Sequence, residues 1–379
     1  MEKVIIHHGE IFLKRGNYGY FEKKLMRNIK KACKEQGLKL EKITTFDKRI
    51  LCVFGDKKEK IIPVLEKVFG IKYFVFIDEI ERDIKSMKKY VEKFLKKSKP
   101  KTIAFKIKRA DKLFEFKSTQ IKEKFGEIAN GLGIKVNYSA SEKTISCEIT
   151  SKKVYFYEEK IKGPGGLPVG TSGKVLCLFS GGIDSAVASW LMMKRGCTVD
   201  YLHFHVFPDN KKVENTKIKR ILSELDKYEF GSKLYLLPYA IYEVETMGTV
   251  LQKYDLVLFK HYILKVAEKF ALENHYDAIV TGDNLAQVAS QTMENIKATS
   301  LGISLPLFRP LLTYDKQEII DLAKKINTYE PSIEKYKDCC SILSKKPSTK
   351  TKLTYFAKLV DNINLDKLVD KSLKEISEI

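Results

Sequence analysis

The sequence has 379 residues, of which 44% are hydrophobic and 31% charged, with a net formal charge of +21. That length suggests two or three domains. No apolar run approaches the ~20 residues that span a bilayer, and the amino-terminal MEKVIIHHGEIF has no signal-peptide core, so a soluble cytoplasmic protein without a membrane partner is expected. The seven cysteines are odd in number, scattered and without a CxxC, which points away from a disulfide scaffold or a zinc ribbon. The charge is unevenly placed. Residues 1–172 carry 40 Lys and Arg against 22 Asp and Glu, a net of +18, whereas residues 173–379 carry 29 against 26, a net of +3. A lysine-rich surface for thermal stability explains many lysines but not this imbalance. A half-chain so basic points to a nucleic acid partner.

In chain order, residues 4–13 read as extended and 20–36 as an amphipathic helix with Phe21, Leu25, Ile29 and Ala32 on one face. Residues 39–45 and 49–54 look like paired strands, 57–69 a second helix and 72–77 a closing strand. That is the βαββαβ order of a ferredoxin-like unit, a common superfold that gives no function by itself. A second basic α+β segment follows: a lysine-rich helix over 84–97, a strand over 102–108, the polar turn Arg109-Ala110-Asp111-Lys112, and a helix to 132 that Ser118 could cap. Later strands fall at Val136, 145–149 and 154–157. The run GPGGLPVGTSG, residues 163–173, has the Gly and Pro density of a linker and marks the change in charge balance. Beyond it, apolar strands at 175–179, 198–205, 233–238 and 277–281 alternate with helices, the pattern of a parallel doubly wound sheet.

The sharpest local signal is Val175-Leu-Cys-Leu-Phe-Ser180-Gly181-Gly182-Ile183-Asp184-Ser185, a buried strand entering a Ser-Gly-Gly turn that opens a helix. Such a turn offers backbone N–H groups and a helix N-terminus to an anion, and the glycines let the backbone approach closely. Ser180 and Ser185 add hydroxyls, and Asp184 is placed to hold a Mg²⁺ that bridges phosphates. The alternative is a Gly-rich strand-to-helix turn without ligand. SGGxDS after a strand is the signature of PP-loop ATP pyrophosphatases.

Across nearly its whole length the chain resembles the tRNA 4-thiouridine synthetase family. The resemblance rests on this loop together with Gly9-Glu-Ile-Phe-Leu-Lys14, Phe21-Glu-Lys-Lys-Leu25, Lys108-Arg109-Ala-Asp-Lys112, the GPGGLPVG linker, Thr281-Gly282-Asp283-Asn284 through Gln291-Thr292, and Arg309 through Asp315-Lys316. It implies an α+β amino-terminal half, with a ferredoxin-like domain over 1–79 and a THUMP RNA-binding domain over 80–165. An α/β PP-loop domain with a parallel doubly wound sheet follows over 173–379. It further implies an ATP pocket formed by Leu178, Phe179, Ser180, Gly181, Gly182, Ser185, His203, Phe204, Lys260, Gly282 and Gln291. Asp184 is expected to carry the metal, and Asp184 and Lys316 to handle charge in adenylation. Lys108, Arg109 and Lys112 are expected to contact tRNA. Without the family match, His203 reads better as a satisfied core-edge histidine and Lys260 as a solvated helix lysine.

The implied reaction is ATP-dependent: adenylation of a tRNA uridine, expected at position 8, and attack by a persulfide or sulfide to give 4-thiouridine. The family cysteine matches Cys340, in the stretch Cys340-Ser-Ile-Leu-Ser-Lys-Lys-Pro347, with Cys339 its neighbour; a buried structural pair is the alternative. The length corresponds to the short form without a rhodanese domain, so the donor is expected to be an external persulfide protein or sulfide, and a role in thiamine biosynthesis is doubtful. Leu256 and Phe259 stand where some archaeal relatives carry a CxxC, which argues against an iron–sulfur cluster held by that motif. A homodimer stays open. Other PP-loop enzymes, such as tRNA lysidine synthetases, share SGGIDS but not the linker and basic half. A non-enzymatic RNA-binding module conflicts with an intact loop, and a methyltransferase would need a cofactor loop that is absent from the sequence.

Overall fold

The first strand, β1 (Glu2–His8), buries three successive residues, Val4, Ile5 and Ile6, as a central strand covered on both faces does. Its sheet is completed by β2 (Leu40–Phe46), β3 (Arg49–Phe54), β4 (Ile71–Phe76) and a two-residue β10 (Ile161–Lys162), in the order β10-β4-β1-β3-β2. The helix Tyr18–Glu35 buries Phe21, Leu25, Ile29 and Ala32, the expected face. Each such side chain taken out of water contributes about 1.5–3 kcal/mol for the larger residues. The computed structural model describes all residues except 215, 249–251 and 344–347. It divides into two units, Met1–Gly166 and Leu167–Ile379, with the break inside the Gly-rich stretch.

The second sheet of the first unit runs β5-β9-β8-β6-β7, from β5 (Asp78–Ile80), β6 (Thr102–Arg109), β7 (Lys135–Val136), β8 (Lys143–Ile149) and β9 (Val154–Tyr157). Helices Ile84–Ser98 and Ser118–Gly131 pack Met87, Val91, Leu95, Ile121 and Phe125 onto Phe105 and Phe156. Three local readings need correction. The extended stretch over 4–13 stops at His8, because the chain turns at Gly9 into a 3₁₀ segment, Glu10–Asn17, that buries Ile11. Ser118 is the first helical residue rather than the cap; the Gln120 side chain closes the turn by accepting from the Lys117 backbone N–H at 2.8 Å. The second helix is shorter than expected, Lys58–Leu65, and contains Pro63.

The second unit holds a six-stranded sheet in the order β15-β14-β11-β12-β13-β16. Its members are β11 (Lys174–Leu178), β12 (Thr198–His205), β13 (Leu234–Pro238), β14 (Ala278–Val280), β15 (Leu307–Phe308) and β16 (Ser377–Glu378). All pairings are parallel except β13 with β16. Strand β11 connects onward to β12 on one side, whereas its other neighbour, β14, connects onward to β15 on the opposite side. Its carboxyl end is therefore a topological switch point, where open α/β sheets form ligand crevices. No helix among the described residues is long and apolar enough to cross a membrane.

Candidate nucleotide and sulfur-transfer site

The switch-point crevice begins where β11 ends at Leu178. Phe179 still donates its N–H to Leu202 O at 2.9 Å, and the chain then turns through Ser180, Gly181 and Gly182 into the helix Ile183–Lys194. Gly181 has φ +74°, and a Cβ there would meet Ile218 Cδ1 at 2.3 Å, so both backbone and space require glycine. Gly182 precedes the first helical turn without a side-chain cap, which leaves the helix N–H groups available to an anion. The hydroxyls are drawn into the turn: Ser180 Oγ accepts from Gly182 N–H at 3.2 Å, and Ser185 Oγ donates to Gly182 O at 3.0 Å. Gly282 follows β14, and a Cβ on it would come within 2.8 Å of Ser185 N. Glycine at 282 thus lets the next loop close on the first turn of the helix.

Asp184 lies in that first turn, and both its oxygens are engaged. Lys316 Nζ stands 2.7 Å from Oδ1, and Gln287 Nε2 donates to Oδ2 at 3.1 Å. Lys316 opens the helix Lys316–Lys325, which is fixed by a reciprocal cap between Asp315 and Glu318. The Lys316 side chain is 45% exposed and that of Asp184 23%, so the pair stands at an open mouth. No group of three His, Cys, Asp or Glu side chains among the described residues could hold a metal alone. One carboxylate nevertheless fits Mg²⁺, which commonly takes one or two protein carboxylates and completes its shell with phosphate oxygens and water.

A second charged centre was not anticipated. Asp283 accepts from Thr281 Oγ1 at 2.9 Å and pairs with Lys260 at 3.2 Å and Arg309 at 3.4 Å, with Gln291 Nε2 also 3.4 Å away. Desolvation works against the carboxylate, but Lys260, then Arg309, and the hydrogen bonds outweigh it and hold Asp283 down at about 2. Two residues expected at the nucleotide, Lys260 and Gln291, therefore converge on a shared anion. The signal for Asp283 and Arg309 was present in the Thr281–Thr292 and Arg309–Lys316 stretches, but neither had been assigned a role.

Leu178, Phe179, Ser180, Leu202, Phe204, Phe259 and Ile263 line a mostly apolar cleft that also meets Asp338, Cys339 and Cys340. His203 and Phe204, adjacent on β12, point to opposite faces. Phe204 enters the cleft, whereas both ring nitrogens of buried His203 are within hydrogen-bond reach of protein atoms: Nδ1 lies 2.6 Å from Phe179 O and Nε2 2.7 Å from Tyr336 OH. Cys339 is buried and Cys340 is the exposed cysteine of the seven. Although residue 340 is exposed, local desolvation pushes its thiol up to about 11, with Lys260 pulling in the other direction. The stretch around Cys340 is described only as far as Leu343; residues 344–347 lie outside the described residues.

In the basic unit, Lys108 Nζ lies 2.9 Å from Glu148, a buried carboxylate that also pairs with Arg49. Arg109 donates to the backbone carbonyls of Lys112 and Phe114, the latter at 3.2 Å, and so holds the turn that displays exposed Lys112. Of the three expected RNA contacts, one is half engaged, one braces a loop and one is displayed.

A parallel α/β sheet with a Ser-Gly-Gly phosphate loop at its switch point, following a strongly basic α+β unit, defines the class of nucleotide-handling proteins. A family model described as thiamine biosynthesis protein (ThiI) matches residues 170–365, and one described as the ThiI ferredoxin-like domain matches 3–75. A probable tRNA sulfurtransferase of Caldanaerobacter subterraneus subsp. tengcongensis is 36% identical over 380 residues, 99% of each chain. One from Alkaliphilus oremlandii is 34% identical over 381 residues, covering 98% of this chain and 97% of the relative. Among solved structures, a 4-thiouridine synthetase–RNA complex with bound ATP superposes with a TM-score of 0.86 at 30% identity, covering all of both chains. PH1313 from Pyrococcus horikoshii gives 0.67 at 26% identity, over 86% of this chain and all of the other. The chain belongs to the ThiI family of tRNA sulfurtransferases.

Proposed function

We propose that the protein is an ATP-dependent tRNA sulfurtransferase that converts a tRNA uridine, expected at position 8, into 4-thiouridine in the cytoplasm. The observation that carries this reading is a phosphate loop whose helix has no side-chain cap and bears the Asp184–Lys316 pair in its first turn, while Ser180 of the same loop lines a cleft shared with Cys340. The likeness to a 4-thiouridine synthetase that binds ATP and RNA supports it.

In this reading the loop N–H groups hold the ATP phosphates, and the adenine rests against Leu178, Phe179 and Phe204. The uridine O4 attacks the α-phosphorus, pyrophosphate leaves, and the uridine becomes an O4-adenylate. Asp184 would hold Mg²⁺, which would supply charge neutralisation at the phosphates. Lys316 is freed to face the charge that builds on the phosphates. Sulfide then adds at C4 and AMP departs with O4. With a persulfide donor, the terminal sulfur adds at C4, AMP departs with O4, and a disulfide joins C4 to the donor. The Cys340 thiolate attacks the donor-side sulfur, a mixed disulfide forms on Cys340, and the nucleoside leaves as 4-thiouridine. An external thiol reductant restores the cysteine. The basic unit, with Lys112 and the Arg49–Glu148–Lys108 cluster, supplies the tRNA grip.

The test is mass spectrometry of tRNA nucleosides after incubation with ATP, Mg²⁺ and either sulfide or a protein persulfide. The expected product is 4-thiouridine. A different thiolated base would change the assignment of the product, and none with either donor would overturn the activity.

A further inference from the structure

The segment that carries Cys340 is anchored to the two elements that shape the phosphate loop. After the short helix Tyr329–Ile333, the chain runs through Glu334, Tyr336 and Asp338 to the turn Cys339–Ile342. Three contacts fix it. Lys217 Nζ donates to Ser332 O at 2.9 Å, Arg220 pairs with Glu334, and the Tyr336 hydroxyl meets His203 Nε2 at 2.7 Å. The Lys217 ammonium also sits 5.5 Å from the Tyr336 ring centre, and Phe207 packs edge-on against the same ring.

Two of the anchors lead back to the loop. The other nitrogen of His203, Nδ1, is 2.6 Å from the carbonyl of Phe179, the residue just before Ser180. A carbonyl only accepts, so Nδ1 carries the proton. Burial, ahead of every other influence, lowers the His203 pKa to about 4, so the ring is neutral near pH 7. Nε2 is then an acceptor, and Tyr336 O–H donates to it. The chain Phe179 C=O, His203, Tyr336 O–H therefore has one self-consistent arrangement. Lys217 lies under the loop as well: a Cβ on Gly181 would meet Ile218 Cδ1 at 2.3 Å and Lys217 Cε at 3.5 Å. Of the residues that hold the cysteine segment, His203 and Lys217 thus also lie against the loop.

We propose that His203 and Tyr336 form a strut that couples occupancy of the phosphate loop to the placement of Cys340. His203 on this account is a positioning residue, oriented away from the apolar cleft that Phe204 enters, and its imidazole transmits displacement rather than protons. The coupling explains why a buried histidine with two satisfied nitrogens stands at the carboxyl end of a strand beside the site. It rests on the reading of the loop as the ATP site.

The test measures iodoacetamide labelling of Cys340 by peptide mass spectrometry, with and without ATP and Mg²⁺, in the full-length wild type and in Tyr336→Phe. ATP affinity is measured alongside by calorimetry. ATP is expected to change the Cys340 labelling rate at least fivefold in the wild type. In Tyr336→Phe that response should shrink below twofold, with ATP affinity within about twofold of wild type. Pyrophosphate release with tRNA should stay near wild type while persulfide-driven thiolation falls about tenfold, a split that general loss of structure would not produce. Arg220→Gln loosens the same segment through an exposed pair and should move both readouts in the same direction; it decides the matter if Tyr336→Phe folds poorly. ATP binding with an unchanged labelling response in these variants, or with no response in the wild type, overturns the strut. Failure of the wild type to bind ATP overturns the ATP reading instead.

Discussion

Lys316 Nζ lies 2.7 Å from Asp184 Oδ1 and joins two helix starts that are 132 residues apart in sequence. Without nucleotide the lysine neutralises the acid. In the proposed reaction a Mg–nucleotide at the loop would give the acid a cation and the lysine a phosphate, so the pair would be a resting arrangement that the substrate exchanges. Partly exposed ion pairs of this kind contribute little to stability, about 0–1 kcal/mol. Asp184→Ala and Lys316→Ala are therefore expected to keep the fold and tRNA affinity while lowering thiolation by a factor on the order of 10²–10³, the scale of losing one charge-stabilising group. Activity within threefold of wild type in either variant would remove the pair from the mechanism.

Asp283 gives a pH signature. Its folded pKa is about 2 against an ordinary 3.8, so the acid is depressed by folding. The associated stability is full above pH 4 and is lost as pH falls through the folded value. At one to two pKa units this amounts to about 2 kcal/mol. Asp283→Asn should thus be less stable than wild type at pH 7 in urea unfolding, by that order, with the gap narrowing from pH 4 toward pH 2. A gap independent of pH would mean that packing rather than charge accounts for it.

Local pattern carried most of the architecture. Strand β12 spans 198–205 and β9 spans 154–157 as read from alternation and apolar runs, because each is flanked by turn residues and filled by β-formers. The two-residue strands β10, β15 and β16 were not read: nothing in Ile161–Lys162 or Ser377–Glu378 is periodic, and only pairing with β4 or β13 defines them. The site divides the same way. Ser180 to Ser185 was legible because one turn makes the whole feature. The Asp283 centre draws Lys260 and Arg309 from 23 and 26 residues away, and no spacing rule brings them together. His203 was read on its position at a strand end, but which way its ring turned depended on Tyr336, 133 residues on.

The displayed and bracing residues of the basic unit should separate in RNA binding. Lys112 is exposed, so Lys112→Ala should weaken tRNA binding a few-fold and reduce the slope of log affinity against log salt by about 0.7–0.9. Arg109→Ala frees the turn from Lys112 to Phe114 and should weaken binding by more than one lost phosphate contact. Filter binding across a salt series measures both. Identical salt slopes in Lys112→Ala and wild type would exclude a phosphate contact.

Cys340 separates the two sulfur routes, and its environment sets how. Local desolvation pushes the thiol up to about 11, which leaves it mostly protonated near neutrality. Labelling of Cys340 in the nucleotide-free protein should rise about tenfold per pH unit from 7 to 10, where an ordinary cysteine levels off near 8.5–9. The sign follows from the causes: desolvation raises the thiol and the Lys260 charge lowers it, so Lys260→Met should slow labelling further at every pH below 10. In the proposed route with a persulfide donor the Cys340 thiolate releases the product, so Cys340→Ser should stop turnover. Sulfide adds to the adenylate without a protein thiol, so the same variant should keep at least a third of its activity with sulfide. Cys339 is buried and its thiol is pushed still higher, so Cys339→Ser should retain activity with both donors. Full persulfide-driven activity in Cys340→Ser, and in the double variant with Cys339→Ser, would mean that the sulfur is released by a thiol outside this chain.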